Sequence, residues 1–166
     1  MEDILKNSLL TVCRSLEKYK VDYMLIGGTA VALNGYYRIS INIKGEMAEK
    51  PDIDMWYNPT YENYYNVIEA LTELGHDTSE VKKEKSPNPR RSFFKIDLDN
   101  FTLDILPEIK ANIKFSVANR RKETVLVEGT PIHFMNFYDL IEDKEALARK
   151  KDLEDVQQLK KIKNQH

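Results

Sequence analysis

Apolar positions near the start of the chain recur at helical spacing. Ile4, Leu5, Leu9, Leu10, Val12, Cys13 and Leu16 make one stripe, which predicts a helix over residues 3–19. The period then shortens. Val21 to Ile26 reads as a buried strand stopped by Gly27-Gly28, and Thr29 to Asn34 suits a short helix with Gly35 just past its end. Residues 36–51 are polar and irregular and read as a loop ending at Pro51, with room for a brief strand at 39–43. A second strand is expected over 52–57. Pro59-Thr60 opens a helix with Tyr64, Val67, Ile68 and Leu71 on one face, closed by Leu74-Gly75. Residues 76–91 are polar, with two prolines, and read as an exposed connection. Ser92–Leu98 and Phe101–Leu106 predict a hairpin turning at Asp99-Asn100; Thr124–Val127 and Ile132–Met135 predict another, turning at Glu128-Gly129-Thr130-Pro131. Helical spacing returns over 138–149 and 152–162.

This order predicts an α+β (α/β-like) domain built on a mixed sheet flanked by helices. A doubly wound parallel sheet would need more strand–helix alternation in the second half. One domain is expected over 1–166, with its core at about 20–135 and C-terminal helices at about 136–163. There is no internal repeat.

Composition narrows the function. A chain of 166 residues with 42% hydrophobic and 31% charged residues can bury a core without staples. The formal net charge of -2 excludes a surface that is polycationic as a whole. Local basic clusters at Lys82-Lys83, Arg90-Arg91, Arg120-Arg121-Lys122 and Lys144 to Lys151 either meet phosphate or form solvated faces. Cys13 is the single cysteine, so no intrachain disulfide and no cysteine-based metal site can form. His76, His133 and His166 are scattered without zinc spacing. No leader-like or membrane-length apolar run is present, and a cytoplasmic protein is expected.

The candidate chemistry lies in carboxylates. Asp52 and Asp54 stand one residue apart at the head of the second strand. In a strand such residues project from one side, about 6.5–7 Å apart along it, which suits one divalent cation or a close pair. Upstream, Gly27-Gly28-Thr29 sits between a strand and a helix, where backbone N–H groups can hold phosphate. Asp104 lies within Phe101–Leu106, facing away from Leu103 and Ile105. It pairs with a lysine or arginine, lies on an exposed face, or joins the other two acids around a cation. Three such acids suit metal-assisted nucleotidyl transfer with magnesium or manganese. Asp52 and Asp54 would hold the metal on the triphosphate, and Asp104 would share a second metal and help deprotonate the attacking hydroxyl. Gly27, Gly28 and Thr29 would hold the phosphate tail. Trp56 and the tyrosines read as sheet cover or, alternatively, as base-stacking groups.

Taken in order, Leu25-Ile26-Gly27-Gly28-Thr29-Ala30-Val31, Asn34-Gly35-Tyr36-Tyr37-Arg38, Asp52-Ile53-Asp54-Met55-Trp56 and Leu103-Asp104-Ile105-Leu106 resemble the nucleotidyltransferase superfamily with its polymerase-β-like palm. Asp139-Leu140-Ile141 with Lys144, then Arg149-Lys150-Lys151-Asp152-Leu153 with Asp155, is similar to the closing signature of small bacterial abortive-infection and toxin–antitoxin nucleotidyltransferases. The resemblance spans roughly residues 20–160. It implies transfer of a nucleoside monophosphate from an NTP to a tRNA, protein or small-molecule hydroxyl, ATP among the candidate donors, and an antitoxin-like protein partner. It adds Arg38 and Lys144 as nucleotide-binding residues. For Lys144 the residues themselves leave a second reading, a charge partner for Asp152 and Asp155 at a helix start. The chain departs from the pattern between Arg38 and Asp52, where residues 39–51 are extra. Two further functions compete: a catalytically silent nucleotide- or partner-binding module on the same fold, and a sugar transferase using its Asp-x-Asp on a nucleotide sugar.

Overall fold

The computed structural model describes residues 3–35 and 50–165. Arg38, the tyrosines at 36–37 and the strand expected at 39–43 lie outside them. The described elements are α1 (Asp3–Lys18), β1 (Tyr23–Ile26), α2 (Gly27–Leu33), β2 (Asp52–Tyr57), α3 (Tyr61–Glu73), α4 (Ser79–Lys82), a 3-10 turn (Pro89–Arg91), β3 (Phe94–Asp97), β4 (Thr102–Leu106), α5 (Phe115–Arg120), β5 (Glu123–Val127), β6 (Thr130–Phe134), α6 (Phe137–Leu147) and α7 (Lys150–Asn164). The strands form one mixed sheet in the order β3-β4-β2-β1-β6-β5. β2 runs antiparallel to β1 and parallel to β4, and β1 runs parallel to β6. The mixed sheet and the α+β architecture agree with the sequence.

Strand alternation divides the core into two layers. Leu25, Ile53, Met55, Leu103 and Ile105 face one way and pack against Leu9, Val12 and Leu16 of α1 and Val67, Ile68 and Leu71 of α3. Met24, Ile26 and Trp56 face the other way, against Ala30 and Val31 of α2, Phe115 of α5, Leu140 of α6 and Leu159 of α7. Trp56 is a core residue: its indole N–H donates to the Pro107 carbonyl at 3.1 Å, and its ring meets Phe115 edge-on at 5.2 Å. Ile4 leaves the predicted stripe and stands 55% exposed.

Polar side chains fix the ends of the elements. Thr60 caps α3 by accepting the Asn63 N–H at 3.2 Å. The buried Asn63 amide accepts from Asp22 N at 2.7 Å and donates to the carbonyls of Asp22 and Asn58 at 2.9 and 2.8 Å. It thus clamps the entry of β1 to the exit of β2.

Three expectations are corrected. Residues 76–91 are not simply an exposed connection, because they contain α4 and the 3-10 turn, and Pro89 is buried. The cause is Tyr57, whose hydroxyl lies 2.7 Å from the Pro89 carbonyl and 2.6 Å from that of Ser92, drawing the segment onto the sheet. The second hairpin is tighter than its sequence suggests. Only Glu128 and Gly129 turn, at φ 48° and 77°, while Thr130 and Pro131 already pair within β6. The six-residue helix α5 has no counterpart in the sequence pattern, being too short to show a period. No helix among the described residues is long and apolar enough to cross a membrane.

Candidate active site

The parallel pairing of β2 with β4 sets the site. Its register places Asp54 opposite Asp104 and Asp52 opposite Thr102. Neighbouring strands lie about 4.8 Å apart, so the two facing carboxylates are held side by side. Their alternate neighbours Ile53, Met55, Leu103 and Ile105 are completely buried on the reverse face, which fixes the acids to the same open side. Asp54 and Asp104 are half-buried, whereas Asp52 is exposed and accepts a hydrogen bond from the Thr102 hydroxyl.

The close pair has an electrostatic signature. Burial, then the charges of Asp104 and Asp52, push the Asp54 carboxyl up to about 6, against an opposing pull from Lys144; a hydrogen bond with the Asp104 carboxyl adds to the rise. Two carboxylates so placed share a proton or take a cation.

Gly27 presses on this pair. It follows Ile26, which lies opposite Asp54 in the β1–β2 ladder, and has φ +61°. A Cβ there would sit 2.7 Å from Asp54 Oδ2 and 3.3 Å from its Cβ. The corner therefore needs glycine for its backbone and for its contact with the acid. Gly27→Ala is expected to lower stability by about 1–2 kcal/mol from left-handed strain alone, with more from the contact, read as a lower urea midpoint at unchanged slope. Gly28 follows in the first turn of α2. Thr29 is 3% exposed, and its hydroxyl donates to the Asp52 carbonyl at 3.4 Å, bolting α2 to the head of β2.

The opposing charge comes from the corner between α6 and α7. The chain turns there through Ala148 at φ 55°, and Arg149 becomes the N-cap of α7. Lys144 is 2% exposed, and its ammonium lies 3.1 Å from both Asp152 Oδ1 and Asp155 Oδ2. The two sequence readings of Lys144 meet at one place: it neutralises the start of α7 and its charge reaches Asp54. Arg149 grips the Asp152 carboxylate at 2.6 and 3.1 Å, and Asp152 returns a cap by accepting the Arg149 N–H at 3.2 Å. Arg149 also feels the Asp54 charge, and its side chain remains 54% exposed. The motifs of the sequence do not single out Arg149 for the site. Its signals there are its places in the basic run Lys144 to Lys151 and in the closing signature, neither of which names it as nucleotide-binding.

Sequence-selected residues thus converge from four parts of the chain: Gly27, Gly28 and Thr29, then Asp52 and Asp54, then Asp104, then Lys144. The carboxylates among them offer oxygen ligands, which fit a hard divalent cation. Among the described residues no three His, Cys, Asp or Glu side chains form a ready metal cage. The close unit is the pair Asp54–Asp104, with Asp52 bonded to Thr102.

No family model and no curated protein matches the sequence. Solved structures do. The antibiotic-resistance factor ANT(2'')-Ia superposes with a TM-score of 0.60 at 14% identity, over 96% of this chain and 84% of that one. The lincomycin-bound lincosamide antibiotic adenylyltransferase LnuA gives 0.56 at 18% identity, over 98% of both chains. An antigenic nucleotidyltransferase-like protein from Paracoccidioides brasiliensis gives 0.53 at 14% identity, over 95% of this chain and 76% of that one. At such identities the likeness is one of architecture: the chain shares the fold of these three proteins.

Proposed function

We propose that the protein transfers a nucleoside monophosphate from an NTP to a hydroxyl acceptor and releases pyrophosphate, with a divalent cation held by Asp52, Asp54 and Asp104. The carrying observation is the register that sets Asp54 beside Asp104 beneath Gly27. A bound Mg²⁺ or Mn²⁺ would replace the shared proton, screen the triphosphate and polarise the α-phosphate. Backbone N–H groups at Gly27 and Gly28 bind the phosphate tail, with Thr29 keeping the corner in place. Lys144, Arg149 and Arg38 supply positive charge toward the departing phosphates. Asp104 takes the proton of the acceptor hydroxyl as its oxygen bonds to the α-phosphorus. The bond from that phosphorus to the bridging oxygen breaks, and pyrophosphate leaves with the electron pair. Alignment and fixed charge supply most of the acceleration.

Support for a small-molecule acceptor, over tRNA or protein, comes from LnuA, an antibiotic adenylyltransferase of matching length. A second reading, a catalytically silent nucleotide-binding module, draws on the Asp52–Thr102 bond and the lack of a ready three-acid cage among the described residues.

The deciding experiment incubates the protein with labelled NTPs, Mg²⁺ or Mn²⁺, and either cell extract or hydroxylated antibiotics. Label transfer that Asp52→Asn abolishes is the expected result. Transfer that survives this substitution would remove the metal mechanism. Mg²⁺-ATP binding by titration calorimetry without pyrophosphate release from any acceptor pool would select the silent module.

A further inference from the structure

β5 ends the sheet, and among the described residues nothing pairs with its outer edge. Edge strands commonly carry lysine, proline or a bulge that blocks association. β5 has none of these within Glu123–Val127. It exposes Val125 at 37% and Leu126 at 69% instead.

The β5–β6 register determines which backbone groups point outward. The two-residue turn makes Val127 and Thr130 the closing hydrogen-bonded pair. Hydrogen-bonded pairs alternate along an antiparallel ladder, so Val125 and Glu123 also bond inward to β6. Pro131 gives an independent check. It has no N–H and lies opposite Leu126, a non-bonded pair in this scheme. Thr124 and Leu126 therefore direct both N–H and C=O groups away from the sheet.

We infer that β5 pairs antiparallel with β5 of a second copy of this chain, about a two-fold axis through Val125. In this register Thr124 lies opposite Leu126 of the other copy. Those are the residues with free backbone groups, and each pair exchanges N–H···O=C bonds in both directions. Val125 packs on its symmetry mate. The charges fit as well: Lys122 and Glu128 flank the strand at equal distance from Val125, so each lysine meets the other copy's glutamate. In the single chain Lys122 donates to Asn119 at 2.8 Å, and Glu128 lies 3.3 Å from Lys6 and 3.6 Å from Arg14 on the surface. The Glu128 contacts are exposed and exchange readily with a new partner, and the half-buried Lys122 gives up a neutral one. The pairing joins the two sheets into one continuous sheet. It uses the edge strand at the opposite end of the sheet from β3 and β4, so it is independent of the proposed chemistry.

Light scattering across a dilution series tests the pairing. The expected species at high concentration has twice the 19.4 kDa chain mass and dissociates on dilution. Leu126→Pro removes an outward N–H and leaves the inner ladder intact, so association should weaken on the order of tenfold or more with unchanged far-UV circular dichroism. If that variant fails to fold, the charge set decides. Lys122→Glu and Glu128→Lys should each weaken the dimer, and the double variant should restore it. A chain mass at every concentration, a dimer indifferent to Leu126→Pro, or a double variant weaker than both singles would overturn the proposal.

Discussion

Asp54→Asn should abolish nucleotidyl transfer while making the metal-free protein more stable. The two effects share one cause. The carboxylate is pressed against Gly27 and beside Asp104, and its pKa rises from an ordinary 3.8 to about 6. Between those values the folded state binds more protons than the unfolded state. Stability therefore falls as pH rises through this window, and the full penalty stands above pH 6. Two units correspond to about 3 kcal/mol at most, and relaxation of the half-buried pair reduces it. Asparagine keeps the shape and removes the charge. The melting temperature of the variant, in chelator at pH 8, should exceed that of the wild type by several degrees, and the gap should close toward pH 4. Removal of a metal-binding charge, meanwhile, withdraws several kcal/mol of transition-state stabilisation, a loss on the order of a thousandfold in rate. A variant that transfers label normally, or one that is less stable at pH 8, would contradict this account of the carboxylate pair.

Asp152→Ala should destabilise the protein more than Gly27→Ala or any change in the carboxylate pair. Asp152 is fully buried and holds three things at once: the Lys144 ammonium, the Arg149 guanidinium and the Arg149 N–H. Burial opposes its charge, but Arg149 and Lys144 outweigh that effect and hold its carboxyl below the usual range. Its stabilising contribution is thus present at neutral pH and lost as acid titrates the carboxylate. Truncation strands part of a buried positive charge, which costs about 3–5 kcal/mol, and removes a helix cap worth about 1 kcal/mol. Urea unfolding measures the sum. Arg149→Ala is the control, because that side chain is half-exposed and Lys144 keeps its partners. A similar loss from both changes would show that the guanidinium, and not the buried lysine, anchors the α6–α7 corner.

Much of this architecture is legible in the sequence because it rests on short-range periodicity. The two acids of Asp52–Tyr57 flank Ile53 at the head of an apolar run that bounds the strand correctly, and Thr60 and Gly75 mark the ends of α3 through local chemistry. The division of β4 into buried Leu103 and Ile105 and a half-buried Asp104 follows from the same alternation. Long-range facts are not legible. Nothing within β2 or β4 says that they pair in parallel, or that Asp54 rather than Asp52 faces Asp104. The Thr102 bond to Asp52 depends on that register, and the place of Pro89 under the Tyr57 hydroxyl depends on another long-range contact. In the sequence Lys144 belongs to a basic run. Only the turn at Ala148 brings Asp152 and Asp155 round to enclose it.

The alternation along β2 and β4 also guards the fold against error. Each strand interleaves wholly buried aliphatic residues with acids, so a slip of one position would drive Asp54 or Asp104 into the oily layer and turn isoleucine outward. Misthreaded sheets are thereby penalised twice, once by a stranded charge and once by wetted hydrocarbon. Residues placed for chemistry serve the nascent chain as a proofreading code.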